Sequence, residues 1–275
     1  MRYGLAAWGL REESLESQLR ITRDLGLDLL EFSIANCDSD VLQISSTDQE
    51  IAKVRALFGQ YGVRLDCGCT GNDLTGDDVD QQKRKLTAVI DIAAKLGIKY
   101  LRIFAGFNSD SLVYGNRLAL MLDALQELHA AASGKGITLC VETHGGVTAL
   151  ENGALLHFNS VSTRIDQWKK ILETGVSICY DPANLSAVGS VAPEAFFRLF
   201  KNRIPYIHLK DFKDVPGGIV PAACGEGRLD WDALMAVLKD HEGPAMIEYE
   251  LPGDVKDGMA RSLDFLKKYG AHHGI

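Results

Sequence analysis

The chain has 275 residues, 46% of them hydrophobic, and 37 Asp and Glu against 29 Lys and Arg give a net charge of −8. An acidic balance of this size excludes a general nucleic-acid or anionic-membrane binder, whose affinity comes from clustered Lys and Arg that release counterions. Length and apolar content suffice for one large core, so residues 1–275 are expected to form a single domain.

In chain order, eight short apolar segments rich in β-branched or aromatic residues begin near Tyr3, Leu29, Arg64, Tyr100, Thr138, Val176, Ile204 and Ala245, and each reads as a strand. Helical periodicity lies between them. It shows in Leu15, Leu19, Thr22 and Leu25, then in Ile51, Val54, Leu57 and Tyr61 behind a Thr47…Glu50 capping box, then in Leu86, Val89, Ile90, Ala93 and Leu96. Later helices are expected over 118–132, 165–172, 193–200, 231–238 and 259–269.

A punctuation mark recurs at Gly26, Gly62, Gly97, Gly136 and Gly175, each placed between an amphipathic stretch and an apolar one. Glycine just past a helix end takes the left-handed conformation without a Cβ clash, so each mark reads as a helix stopping and a strand starting. Strict alternation of this kind predicts an α/β fold, a single (β/α)₈ TIM barrel. An open doubly wound sheet would carry a Gly-rich phosphate loop after its first strand, and Leu5-Ala6-Ala7-Trp8-Gly9 is not one. Long irregular segments are expected at 70–80, 145–162 and 212–229, all after strands.

No apolar run reaches the roughly 18 residues of a spanning helix, and Met1-Arg2-Tyr3-Gly4 is no signal sequence, so the protein is expected to be cytoplasmic. Six scattered cysteines fit reduced, mostly buried thiols better than a disulfide framework. The basic cluster Lys83-Arg84-Lys85 reads as a solvated helix face, and His272-His273 as an incidental feature of a polar tail.

Four segments end an apolar run in one potential metal ligand: Leu139-Cys140-Val141-Glu142, Ile178-Cys179-Tyr180-Asp181, Tyr206-Ile207-His208 and Met246-Ile247-Glu248. The separations of 39, 27 and 40 residues suit one strand, one helix and their loops. In a barrel these positions fall at the carboxyl ends of neighbouring strands about 4.8 Å apart, where all four side chains reach one point. Three carboxylates and an imidazole form a mostly hard set suited to one divalent ion, Mn²⁺, Mg²⁺, Co²⁺ or Zn²⁺.

Side chains two positions on share a side of the strand, which brings His144, Lys210 and Glu250 towards the same pocket. His144 is a candidate to bind a substrate hydroxyl or carbonyl, with a second metal contact or a loop-structuring role as alternatives. Lys210 either neutralises an oxyanion or pairs with Asp211. Asn184, at the start of the loop after Asp181-Pro182, either binds a sugar hydroxyl or caps the next turn. Trp8 either stacks on a sugar face or forms an aromatic lid. Glu31 and Arg102 are expected to pair with each other in the barrel mouth, and Gly225-Glu226-Gly227 to be a flexible loop without a phosphate cradle.

The segments Val141-Glu142-Thr143-His144-Gly145-Gly146, Tyr180-Asp181-Pro182-Ala183-Asn184-Leu185, Ile207-His208-Leu209-Lys210-Asp211-Phe212, Gly225-Glu226-Gly227 and Ile247-Glu248-Tyr249-Glu250 resemble the xylose isomerase-like TIM-barrel superfamily of sugar phosphate isomerases and epimerases. The resemblance covers essentially the whole chain. It implies a single divalent ion held by Glu142, Asp181, His208 and Glu248, with Glu142 and Glu248 also acting as acid and base on opposite faces of an enediolate. The expected partner is a small-molecule sugar or polyol, no nucleic acid or membrane, and homo-oligomerisation is compatible with the sequence. Dehydration of a keto-cyclitol or dehydroshikimate-type substrate is the enzymatic alternative, and a sugar-binding barrel the non-enzymatic one. Lacking a cluster of Arg, Lys or helix-start Gly in the later loops, the chain leans towards an unphosphorylated substrate.

Overall fold

The computed structural model describes residues 1–273, with side chains through residue 270, so the side chains of His272 and His273 lie outside the described residues. Its strands are β1 (Arg2–Leu5), β2 (Phe32–Ser33), β3 (Cys67–Cys69), β4 (Tyr100–Ile103), β5 (Thr138–Glu142), β6 (Gly146–Ala149), β7 (Leu155–Phe158), β8 (Ser177–Tyr180), β9 (Tyr206–Leu209), β10 (Asp211–Val215), β11 (Gly218–Ala222) and β12 (Pro244–Ile247). Eight of them form one parallel sheet in the order β1-β12-β9-β8-β5-β4-β3-β2. Its two edges meet: Leu5 N donates to Leu29 O (3.0 Å) and Glu31 N to Leu5 O (2.9 Å), closing the expected barrel.

The helices are α1 (Leu15–Asp24), α2 (Asp48–Tyr61), α3 (Val79–Leu96), α4 (Gly115–Ser133), α5 (Ile165–Glu173), α6 (Pro182–Val188), α7 (Pro193–Phe200), α8 (Trp231–Leu238) and α9 (Val255–His273). Each starts and stops for local reasons. Thr47 and Glu50 form the anticipated capping box at α2, satisfying two amide groups that have no partner within the helix. The five punctuating glycines all have φ between 62° and 97°. Along α3, Leu86, Val89, Ile90, Ala93 and Leu96 are buried, so its apolar stripe faces the barrel.

Inside the barrel, Cys67, Cys140, Cys179, Leu29, Tyr206 and Met246 pack as a separate apolar layer. All six cysteines are free, and all but Cys37 are buried. Among the described residues no helix is long and apolar enough to cross a membrane.

Two of the segments expected to be irregular are not. Residues 146–158 form the hairpin β6-β7 and residues 211–222 the hairpin β10-β11, and these join as a second, antiparallel sheet in the order β10-β11-β7-β6. The strands are only four or five residues long, and β11 carries both Gly and Pro, so they are too short to display an alternation. Because each hairpin follows a barrel strand, this second sheet roofs the carboxyl end of the barrel.

Candidate functional site

The arc β5-β8-β9-β12 carries the four candidate ligands. Glu142 ends β5, Asp181 follows β8, His208 lies within β9, and Glu248 follows β12. Their ligand atoms all lie within 4.8 Å of one another, and all four residues are buried. Glu142 and Glu248 stand on the outer strands of the arc and flank the other two.

Asp181 owes its position to Pro182, which opens α6 and holds Asp181 in an extended conformation (φ −117°, ψ 103°). Helix α6 begins where a loop was expected, and Asp181 itself caps it, accepting from Asn184 N at 2.9 Å. Asn184 is therefore a helical residue and not a cap; its Nδ2 donates to Glu142 Oε1 at 3.2 Å.

His208 is held from behind. Its Nε2 lies 3.1 Å from Glu31 Oε1 and 3.0 Å from the Tyr206 hydroxyl, which also bonds Glu31. The other Glu31 oxygen accepts from Ala7 N at 3.0 Å. Nε2–H donating to Glu31 leaves the Nδ1 lone pair towards the cluster, 3.6 Å from Glu248 Oε2 and 3.8 Å from Glu142 Oε1. The expected Glu31–Arg102 pair does not form: Arg102 turns to Glu142, Nε to Oε2 at 3.1 Å, and donates to Thr70 O. Strand order explains the difference, since β9 presents His208 to Glu31 from across the barrel.

Lys210 is buried with its ammonium 3.0 Å from Glu248, 3.0 Å from Glu250 and 3.3 Å from Asp181. It does not pair with Asp211. That carboxylate instead accepts backbone N–H groups of Phe212, Gly225, Gly227, Arg228 and Leu229 and the indole N–H of Trp231. The Gly225-Glu226-Gly227 loop is thus wrapped on an anion supplied by the chain itself. A Cβ at Gly227 would collide with the Asp211 carboxylate, which fixes glycine there.

The residues fit a cation. Among the described residues, five carboxylates, those of Glu31, Glu142, Asp181, Glu248 and Glu250, face two permanent cations, Arg102 and Lys210. Asp181 Oδ2 and His208 Nδ1 are buried without a hydrogen bond. Burial raises Asp181 to about 6 against the pull of Lys210, and raises Glu142 against that of Arg102. Burial opposes ionisation of Glu248 too, but Lys210 and then His208 hold it well below the usual carboxylate range. Buried like charges of this kind need compensation, and a hard oxygen-rich set with one imidazole is what a divalent ion takes.

Above the cluster lies a cavity of about 600 Å³. His144, Lys210, Asn184, Glu250 and Trp8, all singled out from the sequence, border it. His144 Nδ1 lies 2.5 Å from Gly145 O, so Nδ1–H donates and Nε2 remains an acceptor. Burial, then Lys210, pushes its pKa down to about 3, keeping the ring neutral. Ser160 and Ser162 hold the His144 carbonyl, so the loop-structuring role falls to its backbone. Trp8 opens a short helical turn after β1, 37% exposed, with Arg11 stacked 4.5 Å over its ring.

Several wall residues escaped the sequence reading: Phe104, Phe107, His157 and Phe212. Phe104 and Phe107 lie edge-on to His144 at 5.2 and 5.4 Å. The aromatic run after β4 was their available signal.

A family model described as xylose isomerase-like TIM barrel matches residues 19–269. The L-ribulose-5-phosphate 3-epimerase UlaE of Escherichia coli (strain SE11) is 25% identical over 271 residues, covering 94% of this chain and 90% of its own. Among solved structures, a xylose isomerase domain protein from Planctomyces limnophilus superposes with a TM-score of 0.74 at 18% identity, covering 92% of each chain. D-Psicose 3-epimerase from Clostridium cellulolyticum H10 superposes with a TM-score of 0.70 at 16% identity, covering 98% of this chain and 99% of the other. With the matched region spanning nearly its full length, the chain belongs to the xylose isomerase-like TIM-barrel family.

Proposed function

We propose that the protein is a divalent-metal-dependent isomerase or epimerase of a ketose or related polyol, working through an enediolate. The convergence of Glu142, Asp181, His208 and Glu248 within 4.8 Å carries this reading. Similarity to proteins named as 3-epimerases, one of L-ribulose-5-phosphate and one of D-psicose, supports the reaction class. These four residues would hold the ion. A bound divalent ion would stabilise the negative charge that develops when the carbon beside a carbonyl loses its proton.

The remaining work belongs to side chains. Glu142 and Glu248 flank the cluster from β5 and β12, so one takes the proton from one face of the substrate while the other returns a proton to the opposite face, a contribution of about 10² to 10⁴-fold as general acid and base. His144 Nε2 accepts from a substrate hydroxyl, and Asn184 holds Glu142 in orientation. Lys210 supplies positive charge beside Glu248.

The aromatic walls, Phe104, Phe107 and Phe212, favour one second reading, dehydration of a keto-cyclitol or dehydroshikimate-type ring. Incubation of the Mn²⁺-loaded protein with ketoses, inososes and dehydroshikimate in D₂O separates the two. Deuterium entering one carbon with inversion establishes the epimerase, and loss of water establishes the dehydratase. No exchange with any of them leaves a sugar-binding barrel.

A further inference from the structure

We propose that His157 is a specificity-determining residue, whose imidazole hydrogen-bonds a hydroxyl at the end of the substrate remote from the four-ligand cluster. The proposal rests on the sugar-directed reading above.

The roof sheet determines what the substrate meets on that side. Val147 and His157 are paired across β6 and β7, so they share a face, and Leu155 lies two residues before His157 on the same face. All three border the cavity, as do the β10-β11 partners Phe212 and Pro221. Four of these five side chains are apolar. His157 is the polar exception.

Its two ring nitrogens are both buried without a hydrogen-bond partner, and the ring packs edge-on to Phe212 at 5.2 Å. Such orphaned atoms are costly and uncommon. Those of Arg102 and Asn184 border the cavity beside Glu142 and Glu248, and those of Asp181 and His208 belong to the four-residue cluster. The pair on His157 is carried by the roof strand β7. A half-turn of the imidazole about Cβ–Cγ exchanges Nδ1 with Cδ2 and Nε2 with Cε1 inside the same ring volume. Nitrogens can therefore be turned to the cavity without moving β7.

The group that His157 recognises follows from its charge. Burial, with Lys210 adding to it, pushes its pKa down to about 4, so the ring is neutral at pH 7 and offers one donor and one acceptor. A hydroxyl complements both. A phosphate dianion would need cations, and the roof residues bordering the cavity include none.

The test is a cycle of two proteins and two substrates, a ketohexose and its 6-deoxy analogue, with Mn²⁺-loaded wild type and His157→Phe, read as kcat/KM for C–H exchange in D₂O. Wild type should favour the hydroxylated sugar by about 10- to 100-fold, and His157→Phe should lose that preference through KM with kcat retained. His157→Gln, which keeps a donor and an acceptor, should restore part of it. An undiminished preference in a folded His157→Phe overturns the proposal. Should wild type neither exchange nor bind any ketose by calorimetry, the sugar-directed reading fails first and takes the proposal with it. Turnover without a preference between the two sugars refutes the role of His157 alone.

Discussion

Glu31 and His208 meet across the barrel interior, Oε1 to Nε2 at 3.1 Å, both fully buried and with Tyr206 bonded to each. A carboxylate behind a ligating imidazole fixes its tautomer and aims its free nitrogen. Replacing Glu31 by Gln, or Tyr206 by Phe, should weaken Mn²⁺ binding by about 10- to 100-fold. Calorimetric titration decides it; unaltered affinity in both variants would show that the pair has no bearing on the ion.

Glu248→Gln should abolish deuterium exchange while the barrel still folds, because an amide cannot accept the transferred proton. Full activity in this variant would refute both the base and the ligand assignment. Glu142→Gln should be impaired as well, since it loses the negative charge that faces Arg102 along with its carboxylate.

Divalent cations should stabilise the fold. At a concentration one hundred times its Kd, a bound ion adds about 2.7 kcal/mol by mass action. Thermal midpoints should rise with Mn²⁺, fall after EDTA, and respond far less in Asp181→Asn. A protein whose midpoint ignores every divalent ion would rule out the site.

Asp211 gathers the N–H groups of its loop, so Asp211→Ala should strand two buried donors, Leu229 N and Trp231 Nε1, along with three half-buried ones, and cost about 3 kcal/mol. Gly227→Ala should be destabilised too, by collision with the same carboxylate. Urea unfolding measures both; near-wild-type midpoints would mean that the loop repacks freely.

The half-buried His241 gives a pH signature away from the site. Burial lowers its pKa from 6.5 to about 4, so the unfolded chain takes up the proton first as pH falls. Stability contributed by the neutral ring is whole above pH 6.5 and is lost progressively between 6.5 and about 4. His241→Gln should flatten that part of the stability curve, and superimposable curves for the two proteins would discount it.

The convergence of the four strand-end side chains was legible because each ends an apolar run at repeat spacing, and the barrel because glycines punctuate the passage from helix to strand. The roof sheet was hidden, being built from strands too short to show a period. His157 was hidden with it, in Leu155-Leu156-His157-Phe158, where nothing local marks a histidine as facing a cavity. The partners of Glu31 and Arg102 are not legible for a different reason: periodicity tells which side of a strand a residue occupies, but contacts across a barrel depend on the length and rotamer of every side chain in the layer.

Glu31 also gives its backbone amide to Leu5, closing the barrel, while its carboxylate holds Ala7 and His208. Architecture and ligand alignment therefore hinge on one residue. Loosening of the β1–β2 seam would misdirect the imidazole before any helix melts, and an ion that tightens the imidazole would in turn pull that seam shut. Hydrogen exchange at the amides of Leu5, Ala7 and Glu31 should consequently slow together on Mn²⁺ addition, making the first and last strands of the circle report on a ligand neither of them touches.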